Sequence, residues 1–307
     1  MYRLTCALVL LSFFAALAAK ADPFATEWKA SGPSDSRIIL ESSGVGPTGS
    51  GRAGIQVRLQ DGWWTYWRAP GTSGIPPQFD WSGSENIAGK PELKWPLPIR
   101  AVTHGEALNL YRREIVFPVE FRAADPSRPV VLKLHLTYGV CRNMCVPATA
   151  DHAIAMGPSS ATRAENQSNV RLISSYANRQ PSADPMSTGF EIREVWETVA
   201  GRKTALGLRI GGLKPPRTQL VLLEGQNIFQ AAEITPRPTA DDNESILTVP
   251  LGVQKDVSKL TGKRLRITIV DGGRALEQTW VVGTTGSSAT GTGLTPVSTG
   301  PADRPQP

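Results

Sequence analysis

A chain of 307 residues has room for about two domains. With 40% hydrophobic and 20% charged residues it can build cores, which argues against wholesale disorder, and its 29 glycines and 25 prolines favour short strands and turns over long helices. The formal charge of +6 is modest and its basic residues are scattered, which excludes the basic stripe that a nucleic-acid partner needs.

Residues 1–21 read as a secretory signal. Arg3 is the positive n-region, residues 6–19 form an apolar run, and Ala19-Lys20-Ala21 fits an A-x-A cleavage site, so the mature chain is expected to begin at Asp22. The run of 14 residues is short against the roughly 20 needed to span a bilayer. Cys6 opens that run instead of following it, which rejects a lipid anchor. No later stretch approaches 18 apolar residues, so no membrane span is expected in the mature chain. Loss of Arg3 and Lys20 leaves 31 basic against 27 acidic residues, a charge of +4. Loss of Cys6 leaves two of the three cysteines, Cys141 and Cys145, in an oxidising compartment.

Residues 22–157 read as a β domain. Arg37–Glu41 is a short apolar run, and Ile55, Val57 and Leu59 alternate with Gln56, Arg58 and Gln60. Asp61-Gly62, between that strand and Trp63–Trp67, predicts a hairpin. Ile115, Phe117, Val119 and Phe121 share one face of a further strand. Val130, Leu132, Leu134, Leu136 and Tyr138 share a face of the next, with Lys133, His135 and Thr137 opposite, and this alternation runs straight into the cysteines. Residues 158–187 are rich in Ser, Asn, Ala and Arg and read as a linker. A short helix is expected there around 163–179, on a weak face of Val170, Ile173, Ser174 and Ala177. Residues 188–283 carry a second series: Phe190–Val195, Leu206–Ile210, Leu220–Leu223, Ile246–Val249, Leu265–Val270 and Ala275–Val282. Asp271-Gly272-Gly273 turns the last pair into a hairpin. Residues 284–307, made of Gly, Ser, Thr and Pro with almost no apolar content, are expected to be a disordered tail. The fold class read from these patterns is all-β: two β-sandwich domains joined by a short linker.

Chemistry concentrates in Cys141-Arg-Asn-Met-Cys145. A structural disulfide here constrains the unfolded chain by only about 2 kcal/mol, and a staple gains more by joining distant segments. Bridging four positions satisfies a Cα separation of roughly 4.4–6.8 Å if the loop is turned. A tight bridge at a strand end is open to attack by another thiolate, which favours a redox pair over a structural bridge or a metal site. The spacing is not the C-x-x-C of a helix start, no C-x-x-C-H haem motif exists, and no further cysteine completes a Cys-rich zinc site. A soft copper(I) site from Cys141, Met144, Cys145 and one of His104, His135 or His152 stays open as a rival. Five of the eight tryptophans lie between 63 and 95 (Trp63, Trp64, Trp67, Trp81 and Trp95), as core and surface aromatics or as a docking face. Gly44–Gly49 fits G-x-G-x-x-G but leads into a strand, so it reads as a loop. Asp241, Asp242 and Glu244 lack calcium-loop spacing and read as a solvated hairpin tip.

The stretches Lys133–Pro147 (KLHLTYGVCRNMCVP), Gly62–Tyr66 (GWWTY) and Tyr111–Val119 (YRREIVFPV) resemble the N-terminal periplasmic domain of the DsbD family of disulfide reductases. The likeness is greatest to its ScsB-like branch, over about residues 25–155. That branch pairs a Trp-His/Trp-Thr-Tyr-Trp strand and a Pro-Gly-x-Ser-Gly loop with a C-x-x-x-C-x-Pro site, here Trp63–Trp67, Pro70–Gly74 and Cys141–Pro147. The second domain resembles the extra immunoglobulin-like domain of the same branch. The resemblance implies two immunoglobulin-like sandwiches, a periplasmic location, no cofactor, and thiol–disulfide interchange that reduces partner proteins. Cys145 would form the mixed disulfide and Cys141 would resolve it. Tyr66 matches a position near the disulfide. His104–Leu110 corresponds to a cap loop, with Glu106 keeping a carboxylate and Leu108 the apolar candidate for its tip. Implied partners are periplasmic thioredoxin-like or disulfide-containing proteins. Family members usually carry a membrane transporter and a thioredoxin-like domain in one chain; neither is read here, so either electrons come from a separate protein, with a membrane thiol-electron transporter as one candidate, or the relay role is lost. The alternative is a non-enzymatic copper(I)-binding or partner-docking module.

Overall fold

The computed structural model describes residues 22–283 except 72, 104, 201–202, 214–216, 227 and 252–259. The expected signal segment 1–21, His104 and the expected tail 284–307 lie outside the described residues.

Two sandwich-like bodies follow one another. The first holds β1 (Lys29–Ser31), β2 (Ser34–Leu40), β3 (Ser50–Leu59), β4 (Trp64–Gly71), β5 (Gln78–Asp80), β6 (Glu92–Leu93), β7 (Ile99–Thr103), β8 (Glu106–Arg112), β9 (Glu114–Arg122), β10 (Val130–Cys141) and β11 (Cys145–Met156). One sheet runs β1-β2-β3-β9-β6 and the other β11-β10-β4-β8-β7, with β5 also on β10; every pairing is antiparallel. Between them lie Ile38, Ile55, Phe117, Leu132, Leu134, Leu136 and Trp67, all buried. Period-two alternation selects these residues, since successive strand side chains point to opposite faces.

Asp61-Gly62 does not make the predicted hairpin. Gly62 takes φ +83° and Trp63 N–H donates to Gln60, so the turn exists. Yet β3 pairs with β2 and β9, while β4 pairs with β8 and β10 in the other sheet. The reason is in β4 itself: Trp64, Thr65, Tyr66 and Trp67 are consecutively buried. A strand apolar on both faces needs cover on both, and it gets that at the centre of the second sheet.

Two helices connect the bodies, α1 (Gln167–Ala177) and α2 (Pro185–Thr188). Asn166 caps α1, its side chain accepting from the Ser168 and Asn169 N–H groups. The helix is no free spacer: Ile173 packs on Ile39 and Val116, and Asn169 Nδ2 donates to the Phe24 and Leu40 carbonyls. Its buried residues are Asn169 and Ile173, whereas Val170, Ser174 and Ala177 of the expected face are half-buried.

The second body holds β12 (Glu191–Ala200), β13 (Lys203–Gly211), β14 (Gln219–Gly225), β15 (Ile228–Ile234), β16 (Arg237–Pro238), β17 (Glu244–Pro250), β18 (Arg264–Asp271) and β19 (Arg274–Val281). Its sheets run β12-β13-β17-β16 and β15-β14-β18-β19. Gly272-Gly273 closes the β18–β19 hairpin, in which Asp271 faces Arg274, as the sequence predicts. Strand β15 was not among the expected elements. The acidic tip 241–244 sits at the β16–β17 turn, where Glu244 is engaged by Arg193 and Arg209 instead of being free in solvent.

The bodies meet across β4. The Arg68 guanidinium, only 14% exposed, donates to Glu224 at 2.7 and 2.9 Å and also to Glu277, and stacks 4.1 Å over the Trp67 ring. Burial alone would loosen its proton; Glu224 and Glu277 more than reverse that. Leu222 and Ala231 of the second body join the core of the first.

His152, on β11, faces β2, with Nε2 3.0 Å from Ser36 Oγ and Nδ1 3.4 Å from Thr26 Oγ1. Burial, helped by Lys29, lowers it from an ordinary 6.5 to about 4. A histidine held neutral in the fold favours the unfolded chain as soon as that chain takes up its proton. Stability is therefore expected to fall as pH drops from 6.5 to about 4 and to level below that, by on the order of 2 kcal/mol after solvent screening. Urea titrations of wild type and His152→Gln at pH 7 and pH 4.5 check this, because the variant should lose that part of the slope. Equal slopes would refute it.

Candidate functional site: a cross-strand disulfide at the end of a sheet

β10 and β11 form a long antiparallel hairpin whose last facing pair is Cys141 and Cys145. Residues 142–144 make the turn, with Arg142 N–H donating to Met144 O at 3.0 Å. The two sulfurs are bonded and the Cα atoms stand 4.1 Å apart. The loop is turned, and it draws the Cα atoms slightly closer than the roughly 4.4–6.8 Å expected of a bridge.

The two cysteines sit in different surroundings. Cys141 is 1% exposed and packs with Trp64, Tyr66, Leu108 and Leu110, whereas Cys145 is exposed. Burial at this end comes from the outer side of the sheet. Along β10 inward and outward residues alternate as far as Thr137, after which Tyr138, Gly139, Val140 and Cys141 are all buried. The cover is the segment after β4. Gly139 N–H donates to Ile75 O, and a Cβ on Gly139 would stand 2.8 Å from Ile75 Cβ. Gly74, at φ +128°, lies so close to the Tyr66 ring that a Cβ there would come within 2.6 Å of it. These two glycines let the chain at Gly74 and Ile75 pack closely on Tyr66 and Gly139.

Tyr66 is buried, with its hydroxyl 3.5 Å from Cys145 Sγ. Burial raises its pKa, with a smaller push from the Glu106 carboxylate, against a lowering contact with Trp64, so it holds its proton and can donate to sulfur. Glu106 begins β8 and accepts a hydrogen bond from Ser73 Oγ, which ties the β7–β8 hairpin to the covering loop. Leu108 is not at the tip of that hairpin. It lies within β8, opposite Ala101 and Gly71, 3% exposed in the Cys141 cluster. The reason is again period two: Leu108 and Leu110 share the face that covers the cysteine.

Sequence reasoning missed the register. Cys145, Cys141, Trp64 and Arg112 face one another in turn across β11, β10, β4 and β8. Trp64 thus lies directly beside Cys141, and its buried indole N–H is near the Tyr66 hydroxyl without reaching full hydrogen-bond geometry. The alternation of Trp64 with Tyr66 and of Leu108 with Leu110 carried that signal, but only once strand order is known. Of the other tryptophans, Trp67 lies in the first core and Trp63, Trp81 and Trp95 pack partly buried against it.

Two of the three histidines of the copper rival, His135 and His152, stand elsewhere. His135 and His152 lie six and seven residues along β10 and β11 from Cys141 and Cys145, on the order of 20 Å. His135 pairs with Asp151 at 2.7 Å, and His152 bonds Ser36. Among the described residues no group of three His, Cys, Asp or Glu side chains is placed to hold a metal ion.

Residues 37–155 match the family model described as thiol:disulfide interchange protein DsbD, N-terminal. This segment belongs to the DsbD N-terminal domain family. The DsbD-type segment spans most of the first body and both cysteines. A crystal structure of the N-terminal periplasmic domain of ScsB from Proteus mirabilis superposes with a TM-score of 0.60 at 20% identity, covering 84% of this chain and 98% of that one. That likeness is one of fold, and it extends well beyond the DsbD-type segment. No curated protein sequence matches the chain. No helix among the described residues is long and apolar enough to cross a membrane.

Proposed function

We propose that the chain is a periplasmic thiol:disulfide interchange protein that passes electrons to disulfide-bonded partner proteins. In the reduced state the Cys145 thiolate attacks one sulfur of a partner disulfide. The partner's S–S bond breaks, its other sulfur leaves as a thiolate and takes a proton, and a mixed disulfide forms at Cys145. The Cys141 thiolate then attacks Cys145 Sγ and expels the partner's remaining thiolate. Two electrons have passed, the partner is a dithiol, and Cys141–Cys145 is again a disulfide. A dithiol donor, a thioredoxin-like protein or a separate membrane thiol-electron transporter, restores the reduced state by the reverse sequence.

The observation that carries this reading is the asymmetry of the pair: one sulfur's residue is open to solvent, the other is enclosed by Trp64, Tyr66, Leu108 and Leu110. A staple for stability needs no such difference, whereas a nucleophile and its resolving thiol do. Tyr66 supports it as a hydrogen-bond donor to the Cys145 thiolate, and Glu106 and Leu108 support it through the hairpin that walls the site. Family membership of the segment supports it independently.

Equilibration of the native chain in glutathione buffers, read by thiol alkylation and mass, is the test. Reversible interconversion at a potential between about −120 and −270 mV is expected, the range spanned by thiol–disulfide exchange proteins. A pair that remains oxidised in the folded chain under excess dithiothreitol would exclude this function.

A further inference from the structure

The rim of the site has a charge of its own. Arg112 occupies the row that contains the disulfide, three strands from Cys145, so its side chain leaves the same face of the sheet. Leu108, Leu110 and Arg112 alternate along that face, and the Arg112 guanidinium lies over the Trp64 ring, 5.8 Å from its centroid. Arg142 stands in the turn between the cysteines, its side chain against Gly62. Arg112 and Arg142 are exposed and, among the described residues, neither pairs with a carboxylate. Arg113 beside them, held at φ +64°, is likewise exposed and unpaired.

The other arginines of the described residues divide between ion pairs, as at Arg52, Arg58, Arg68, Arg193, Arg209 and Arg274, and none, as at Arg122 and Arg128; what distinguishes Arg112 and Arg142 is their place in the row and turn of the disulfide. The carboxylates near the site form no ion pair with these arginines among the described residues, although Glu106 acts on the Tyr66 hydroxyl beside Cys145. Glu106 lies six residues along β8 from Arg112, on the order of 20 Å, and is engaged by Ser73. Asp61, next to Gly62, makes no ion pair among the described residues.

An unpaired guanidinium offers a fork of donors suited to carboxylates. Arg142, next to Cys141, and Arg112, three strands or about 14 Å along the row from Cys145, place positive charge on the approach to the disulfide and steer whatever comes to it. We infer that the protein partner of Cys145 presents Asp and Glu side chains around its own reactive sulfur, and that Arg112 and Arg142 select it. This deepens the interchange reading above and rests on it. Steering of this kind acts on encounter, so it raises the rate of mixed-disulfide formation and weakens with salt.

The test is the rate at which the reduced full chain reacts with two synthetic peptides of equal length, each closed by one disulfide, one flanked by Asp and Glu and the other by Lys. At low ionic strength the acidic peptide should react about tenfold faster. The ratio should fall towards one at about 0.5 M salt, where the Debye length is only a few ångströms. The double variant Arg112→Glu, Arg142→Glu should invert the ratio. A wild-type ratio near one at low salt, or a ratio that the variant leaves unchanged, overturns the inference. Neutral 2-hydroxyethyl disulfide separates the two readings. If it oxidises the chain while the peptides show no charge preference, only the selectivity fails; if neither it nor the peptides react, the interchange reading fails and takes the selectivity with it.

Discussion

In the reduced native chain, Cys145 is expected to be alkylated at least about a hundredfold faster than Cys141. The Cys141→Ser variant should accumulate covalent adducts with partner proteins in acid-trapped cells, and Cys145→Ser should accumulate none. The physical cause is access. Cys141 is 1% exposed beneath Trp64, Tyr66, Leu108 and Leu110, so a reagent reaches it only when the hairpin end opens locally. An opening free energy of about 2.7 kcal/mol already yields a factor of a hundred. Cys145 is open, and the Tyr66 hydroxyl 3.5 Å away stabilises its thiolate and enlarges the reactive fraction. Single-cysteine variants alkylated with iodoacetamide under native conditions, followed by mass, give both rates directly. Similar rates, or adducts trapped from Cys145→Ser and not from Cys141→Ser, would reverse the assignment of attacking and resolving sulfur.

Much of this arrangement was legible in the sequence because local chemistry wrote it. The alternation from Val130 to Tyr138 placed β10 and ran it into Cys141, and Asp271-Gly272-Gly273 fixed the β18–β19 hairpin. What stayed hidden depended on sheet order. Asp61-Gly62 has the composition of a hairpin turn, yet it carries the chain from one sheet to the other, because four consecutive buried residues in β4 demand cover on both sides. The placement of Leu108 failed for the same reason. Assigned to a loop tip from its position in HGEALNL, it belongs to the strand that covers Cys141. Trp64 and Arg112 become part of the site only through the register of four strands from three separate stretches of chain. No window of sequence contains that row. The helix α1 was found through its period, but its buried face includes Asn169, which a hydrophobicity pattern passes over, since its burial is compensated by two backbone carbonyls.

The contact between the bodies was the least visible of all, and it carries the largest expected effect on stability. Arg68 lies on β4, two residues beyond Tyr66, and its guanidinium is forked onto Glu224 while also reaching Glu277, which in turn accepts from Thr268 Oγ1. Arg68→Met leaves two poorly exposed carboxylates facing each other, with Arg266 as the remaining cation at 4.0 and 3.9 Å. Removing one partner of a buried pair costs about 3–5 kcal/mol; Arg266 offsets part of it, so a loss of about 3 kcal/mol is expected. Lysine should restore little, because a single ammonium cannot reproduce the fork or the stacking on Trp67. The triple change Arg68→Met, Glu224→Gln, Glu277→Gln should recover most of the loss, since the cost lies in the unpaired charges and not in the missing contact. Urea unfolding followed by tryptophan fluorescence measures this. Six of the eight tryptophans lie in the first body and two, Trp196 and Trp280, in the second, so fluorescence follows both and the single variant should split one transition into two as the bodies uncouple. An Arg68→Met midpoint equal to wild type would show that Leu222 and Ala231, packed into the first core, hold the bodies together without the ion cluster.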